Sequence, residues 1–332
     1  MRAALERSWY RPGGAWILLK PLAWLFGWVV ALRQMAYRRG WLQTERVSAP
    51  VLVVGNITVG GSGKTPLTLA LVDKLKAKGR RVGVVSRGYG GHADAYPARV
   101  TAESSPAVCG DEPLMIASVT GVPVVVDPRR PRGARWLVDQ ENVDIVIADD
   151  GLQHYALARD GEIAVTDGRR GLGNGWLLPA GPLREPQERL DTVDLALTHG
   201  AGADFWLAPG AVHALAGNES RALADFRGDA VHAVAGIGDP ARFFAMLREA
   251  GLTVIEHAMP DHHVYEADDI LFDDSLPVLM THKDAVKCAG FADVQHWYVS
   301  AELVFHPTAE ARVDTLLARL CAHGRNQESP KP

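Results

Sequence analysis

Pro50-Val-Leu-Val-Val-Gly-Asn-Ile-Thr-Val-Gly-Gly-Ser-Gly-Lys-Thr65 decides the fold of this chain. Val51 to Val54 is a valine-rich apolar run with the character of a buried parallel strand. A glycine-rich turn follows. Lys64 to Lys78 then places Leu67, Ala70, Leu71 and Leu75 on one helical face. Strand, glycine-rich loop, Gly-Lys-Thr and helix together make a P-loop context. Gly60, Gly61 and Gly63 allow backbone N–H groups to turn inward around phosphate oxygens, and the helix N-terminus adds partial positive charge. In that pattern Thr58, Val59, Gly60, Gly61, Ser62, Gly63, Lys64 and Thr65 cradle the phosphates of a nucleotide. Lys64 reaches the β- and γ-phosphates, and the Thr65 hydroxyl helps hold Mg²⁺. Thr58 stands where the usual pattern has its first glycine.

Downstream strands complete an α/β reading. Arg81 to Ser86 is a strand leading into Arg87-Gly88-Tyr89-Gly90-Gly91, a loop at a strand's carboxyl end where ligands bind in open sheets. Residues 92–108 read as irregular, and a helix is expected near Leu114 to Ser118, preceded by Asp111 and Glu112. Those two acids equally suit a helix start, where they favour the dipole. Val143 to Ala148 is an apolar strand ending in Asp149-Asp150, which downstream of Gly-Lys-Thr is the Walker B pattern and puts carboxylate near Mg²⁺. Two adjacent aspartates diverge on an extended strand, so they are expected to have different duties. Residues 171–186 are dense in Gly and Pro, hence an ordered loop, and Arg184 within it could clamp a phosphate or a transition-state oxygen.

From about residue 201 the sequence is weak and rich in Ala and Gly. A second α/β unit follows, with strands at Val231 to Ala235, Thr253 to Ala258, Pro277 to Met280 and Trp297 to Phe305. Asp261-His262-His263 lies after one of them. Adjacent histidines diverge, so a histidine that positions or protonates a carboxylate is expected there rather than a metal site. The organisation expected is an N-terminal helical segment (1–46), a P-loop domain (47–225), a smaller C-terminal α/β domain (226–321) and a polar tail (322–332).

Residues 15–32 are nearly apolar, with Lys20 able to snorkel and Pro21 a potential kink. A helix of this length rises about 27 Å, close to the hydrocarbon thickness of a bilayer. Trp9, Tyr10 and Trp16 before it and Tyr37 and Trp41 after it sit where interfacial aromatics belong. A basic cluster follows in place of a cleavage site, which argues against a signal peptide. Eight basic residues against Glu6 and Glu45 give residues 1–46 a net +6. With −4 overall, the remainder carries −10, so the basic arm suits anionic lipid. The acidic body does not suit nucleic acid. Cys109, Cys288 and Cys321 are odd in number and lack metal-ligand spacing, as expected in a reducing compartment.

Taken together, Gly55 to Pro66, Ser86-Arg-Gly-Tyr-Gly90, Gly110-Asp-Glu-Pro-Leu114, Asp149-Asp-Gly-Leu-Gln-His154, Leu178 to Pro186, Gly236-Ile-Gly238, Pro260-Asp-His-His263 and Thr281-His-Lys-Asp284 run in the order found in one family. The sequence resembles the tetraacyldisaccharide 4′-kinases of lipid A biosynthesis over essentially its whole length. The resemblance implies a P-loop domain and a smaller α/β domain closing on ATP at their junction. It implies transfer of the γ-phosphoryl group to the 4′-hydroxyl of a tetraacylated glucosamine disaccharide 1-phosphate, giving lipid IVA. It implies Asp111 as catalytic base with His262 as its partner, Asp149, Asp150 and Thr65 near Mg²⁺, and Lys64 and Arg184 on phosphates. The implied location is the inner membrane, catalytic domains on the cytoplasmic side, with no obligate protein partner. Thr58 is then the family's own variation, and His282 a departure where glutamate is expected. The competing reading is a membrane-associated P-loop ATPase acting on a protein partner. Its deviant loop would carry a lysine near the start, and Val59 precedes Gly60 with none.

Overall fold

The computed structural model describes residues 6, 8–10, 15–101, 103–261 and 263–325. After a 3₁₀ turn at Ala15–Leu19, helix α1 spans Lys20–Arg38. Pro21 lies in its first turn, where its missing N–H is not needed, so it starts the helix rather than interrupting it. Strand β1 is Val51–Gly55, fully buried, and α2 is Lys64–Ala77. Then come β2 (Val82–Ser86), β3 (Ala98–Val100), α3 (Asp111–Thr120), β4 (Val124–Val126), α4 (Arg130–Glu141), β5 (Ile145–Asp149), β6 (Gly161–Asp167) and β7 (Leu195–His199). The second half supplies β8 (Phe205–Ala214), β9 (Ser220–Arg221), β10 (Ala230–Ala235), α5 (Pro240–Glu249), β11 (Thr253–Ala258), β12 (Val278–Thr281), α6 (His282–Cys288), β13 (His296–Phe305) and α7 (Pro307–Arg325).

Alternation along β1 builds two core layers. Leu52 and Val54 face α2 and α3 through Leu67, Leu71, Leu114 and Ile116. Val51 and Val53 face α4 through Ala134 and Leu137. Helices on both faces are what a mostly parallel sheet needs to stay dry. Strand β1 lies between β5 and β6, both parallel to it. The chain goes outward through β2 and β4 on one side and through β6 and β7 on the other. That reversal opens a crevice at the carboxyl ends of the strands, the usual place for a ligand.

Among the described residues the strands form one sheet of thirteen. The join is β8, which pairs at one position with β7 and then runs antiparallel to β13. The weak passage from residue 201 thus contains a ten-residue strand. Pro209 and Gly210 hide it from a pattern reading, and both sit beside a register shift between Val299 and Ala301. A Cβ on Gly210 would lie 2.4 Å from Ser300 Oγ, so close approach of the partner strand requires glycine there. Residues 92–108 are also not wholly irregular: they hold edge strand β3 and a single turn, Pro106–Cys109.

The stretch expected as a smaller unit has core clusters of its own, built on Phe226, Phe244 and Trp297 and on Val234, Ile270 and Met280. Its last helix does not stay with it. Val313, Leu317 and Leu320 of α7 are buried in the first half's core, and α7 continues to Arg325, past the expected start of the tail at 322.

Helix α1 packs by one face only. Ala23 is buried, and a side chain on Gly27 would meet Leu177 at 2.9 Å. Lys20 Nζ lies 4.6 Å from the centre of the Trp176 ring. On the other side Leu22, Leu25, Trp28 and Leu32 are exposed, as is Leu18 in the preceding turn.

Candidate active site

The P-loop is shaped from within and braced from outside. Gly60 (φ +104°) and Gly63 (φ +88°) take left-handed conformations closed to other residues without strain. The Asn56 amide donates to Gly60 O at 3.3 Å and Ser62 Oγ at 3.1 Å, holding the turn from inside. Val59 N donates to Pro182 O at 2.8 Å, and Thr58 forms an antiparallel bridge with Leu183. Thr58 is therefore extended and paired, which explains why no glycine is needed at that position. Arg184 N donates to Ile57 O at 2.7 Å, so residues 182–184 of the 171–186 loop are laced to residues 57–59.

The two aspartates diverge. Asp149 ends β5 and is 1% exposed, with Thr68 Oγ1 at 3.3 Å and Ser86 Oγ at 3.5 Å. Burial, then the charges of Glu112 and Asp150, push its carboxyl up to about 7, against Lys64 and Arg130. Asp150 leaves the strand at φ +46°. Arg184 Nη1 donates to it at 2.9 Å, and Lys64 Nζ stands 3.6 Å away. Burial alone would raise the Asp150 carboxyl, but Lys64 and Arg184 hold it below the usual carboxylate range. Arg130, 1% exposed, donates to the carbonyls of Asp127 and Asp149 at 3.0 Å each and fixes the backbone under this turn.

A pH-dependent stability follows. Asp149 is raised in the folded chain, so its protonated form favours folding. The cost of burying the charge is absent below about pH 4, grows as pH rises to about 7 and is constant above that. Asp149→Asn should then stabilise the metal-free protein by on the order of 2 kcal/mol at pH 8 and by little at pH 4. Denaturant titrations at both values would measure this; an equal change at both would assign the effect to packing.

Asp111 opens α3, and Lys287 of α6 pairs with it at 3.0 Å, the two side chains 12% and 6% exposed. Lys287 also donates to His263 O at 3.2 Å, tying Asp111 to the 260–263 turn. His262 itself lies outside the described residues. His263 turns away to Asp269 at 2.9 Å, and Asp261 pairs with Lys283 at 3.1 Å. His282 stacks on Tyr298 with ring centres 4.2 Å apart. Burial, then His213, pushes its imidazole down to about 4, so a neutral stacking ring stands where a carboxylate is expected.

One cavity of about 1480 Å³ joins the P-loop and the acidic pair to the second half; Asp111 and Lys287 are not among its lining residues. Its walls include Gly60 to Thr65, Asp149, Asp150 and Arg184 from the first half and Gly238, Thr281 and His282 from the second. Glu112 lines it, one residue from Asp111. His199 lines it too, against the P-loop: a Cβ on Gly63 would lie 2.9 Å from its ring. His199, Arg130 and Lys287 are absent from the sequence-based set. A lone histidine at a strand end and basic residues that act through tertiary pairing leave no local pattern to find.

The donor set suits a hard divalent cation, being carboxylate and hydroxyl oxygens only. Among the described residues the Asp149 carboxylate meets two long hydroxyl contacts. Among the described residues no group of three or more His, Cys, Asp or Glu side chains is placed to hold a metal.

A P-loop at the switch point of a doubly wound sheet, with an acidic pair beside its lysine, defines a protein of the P-loop nucleotide-binding class. The family described as tetraacyldisaccharide-1-P 4′-kinase matches residues 15–320. A tetraacyldisaccharide 4′-kinase from Alkalilimnicola ehrlichii is 50% identical over 323 residues, covering 95% of this chain and 97% of that one. The enzyme of the same name from Pseudomonas paraeruginosa is 50% identical over 326 residues, covering 95% and 98%. A crystal structure of LpxK from Aquifex aeolicus in complex with ATP superposes with a TM-score of 0.79 at 26% identity, covering 92% of this chain and 99% of that one. The chain belongs to the tetraacyldisaccharide 4′-kinase family, phosphotransferases of lipid A biosynthesis.

Proposed function

We propose that this chain transfers the γ-phosphoryl group of ATP to the 4′-hydroxyl of a tetraacylated glucosamine disaccharide 1-phosphate, giving lipid IVA at the cytoplasmic face of the inner membrane. The observation that carries this reading is the single cavity lined both by the P-loop and by Phe26, Val29 and Val30 of the apolar helix. Nucleotide and lipid ends meet in one space.

In this reading residues 58–65 hold the triphosphate. Lys64 and Arg184, both resting on Asp150, move to the β- and γ-phosphates, which compete for the same cations. Asp149, Asp150 and Thr65 hold Mg²⁺ with the phosphate oxygens; when bound, it neutralises charge that develops on them. Asp111 accepts the proton of the sugar hydroxyl late in a loose transition state, where positioning dominates. Its neighbour Lys287 orients the carboxylate, and His262 shares or relays the proton. The two lobes, the P-loop half with helix α7 packed into its core and the second half from about residue 226 to 306, close over the nucleotide and exclude water. Two-dimensional ³¹P–¹H correlation of the product tests the regiochemistry: the new phosphorus should couple to H-4′, and coupling to any other ring proton would contradict the assignment.

Helix α1 (with the turn before it, Trp16–Arg38) is long and apolar enough to cross a bilayer. One of its faces is nevertheless committed to the protein. Gln34 donates to Tyr155 at 2.9 Å, and the Tyr37 and Tyr155 rings lie 5.8 Å apart. That supports a helix lying in the interface, with Leu18, Leu25, Trp28 and Leu32 in the acyl region. Trp28, 77% exposed, touches lipid in this account. The double variant Trp28→Glu, Leu32→Glu should cut recovery on anionic vesicles at least tenfold while the thermal midpoint stays within about 2 °C. Unchanged sedimentation would place the anchor elsewhere.

A further inference from the structure

Asp284, the third residue of α6, is fully buried, and no step of the proposed transfer uses it. An acid at this place in a helix ordinarily reaches back to the backbone N–H at the start of its own helix. This one reaches to another strand. Gly236 N, just past the end of β10, donates to Asp284 Oδ2 at 3.0 Å, and Thr281 Oγ1, at the end of β12, donates to the same oxygen at 2.6 Å. A Cβ on Gly236 would lie 2.7 Å from Tyr265 Oη, 3.0 Å from Asp284 Oδ1 and 3.3 Å from Pro260 O, so glycine is what lets these groups converge. Burial, then the Asp284 charge, push the Tyr265 phenol up. The chain leaving β10, β11 and β12 therefore meets at one carboxylate. Burying a carboxylate is costly. Helix α6 does not need it in order to start, because the Thr281 side chain already accepts from Asp284 N at 3.3 Å.

What α6 lacks is a means of fixing its own orientation, since seven residues are too few for a self-sustaining helix. Lys283 and Lys287 stand four positions apart, on one face and about 6 Å from each other along the axis. Lys283 pairs with Asp261 at 3.1 Å. Lys287 pairs with Asp111 at 3.0 Å and donates to His263 O at 3.2 Å. That face of α6 thus grips the turn carrying His262 on both sides and ties it to α3 of the first half. The 236–238 turn, which reaches the cavity wall at Gly238, is pinned to the same carboxylate.

We infer that Asp284 is a positioning residue for the transfer: it locks the 236–238 turn to the first turn of α6 and, through Lys283 and Lys287, sets the 261–263 turn against Asp111. A rotation of α6 would move both ammonium groups together, and with them the register between the base and its partner turn. This inference rests on the roles given to Asp111 and His262 above.

The test uses the full chain in neutral detergent micelles with ATP and tetraacyldisaccharide 1-phosphate, in the wild-type background and in Lys283→Met, Lys287→Met. In the wild-type background Asp284→Asn should lower kcat on the order of tenfold to a hundredfold, with KM for ATP changed less than about twofold. In the double-methionine background the same substitution should cost less than about twofold, because the groups it acts through are gone. Thr281→Val should give a smaller loss of the same kind and Thr281→Ser should recover it; this pair carries the test if Asp284→Asn does not fold. An equal loss of kcat in both backgrounds would overturn the inference by giving Asp284 a general structural role. A raised KM for ATP at unchanged kcat would overturn it by assigning Asp284 to the nucleotide site, and a kcat within about twofold of wild type would remove any role in turnover. A wild-type protein that labels no lipid would instead remove the proposed function, and the inference with it.

Discussion

Replacing Lys64 by alanine is expected to lower kcat/KM for ATP on the order of a thousandfold. The ammonium group sits at the N-terminus of α2, 9% exposed and 3.6 Å from Asp150. Inside so dry a site a charge on phosphate is worth far more than on the surface, because water does not screen it. The helix N-terminus and the loop N–H groups remain in the variant, so residual binding of nucleotide is expected. Folding should survive, since Asp150 keeps Arg184 at 2.9 Å. Steady-state kinetics with a parallel thermal melt would check both parts. Activity within tenfold of wild type, from folded protein, would mean that Lys64 does not reach the transferred group.

Asp111→Asn is expected to reduce kcat by about 10²- to 10⁴-fold, the range for losing a positioned general base. KM for ATP should move little, because the P-loop is untouched. The substitution also strips Lys287 of its charge partner at 3.0 Å in a nearly closed setting. An unpaired buried ammonium is costly, so some loss of stability is expected from the same change. Lys287→Met in the Asp111→Asn background separates the two effects: it should restore stability and not turnover. A kcat for Asp111→Asn within tenfold of wild type would remove the base assignment. Recovery of turnover along with stability would show that the first loss was structural.

The parts of this molecule that were legible in its sequence are those fixed by local chemistry. The valines of β1 announce a buried strand because both faces of a parallel sheet are covered. The glycines at 60 and 63 announce the loop because left-handed backbone is required there. Asp149 and Asp150 had to diverge, and the structure separates them by a strand end and a φ of +46°. What was illegible is long-range. Strand β8 is recognised only through β13, which lies roughly ninety positions further along the chain. Helix α7 follows the second half in sequence yet packs into the first, a choice made by Val313 and Leu317 finding the larger core. Lys287 gained its meaning only when α6 was brought against α3. Arg33 read as one charge in a basic arm until the helix was seen to line the cavity.

His282 shows the limit in the other direction. In sequence it is a departure from the family's expected glutamate, to which no chemical role attaches. Stacking on Tyr298 and burial keep the ring neutral, so the position contributes a surface rather than an ion pair.

The most direct test gives purified full-length protein γ-labelled ATP, Mg²⁺ and detergent-dispersed tetraacyldisaccharide 1-phosphate, with label followed by thin-layer chromatography. The account predicts label on a doubly phosphorylated lipid, absent when Lys64→Ala replaces the wild type. Label released as free phosphate, with none on the lipid, would contradict it and point to a membrane-associated ATPase.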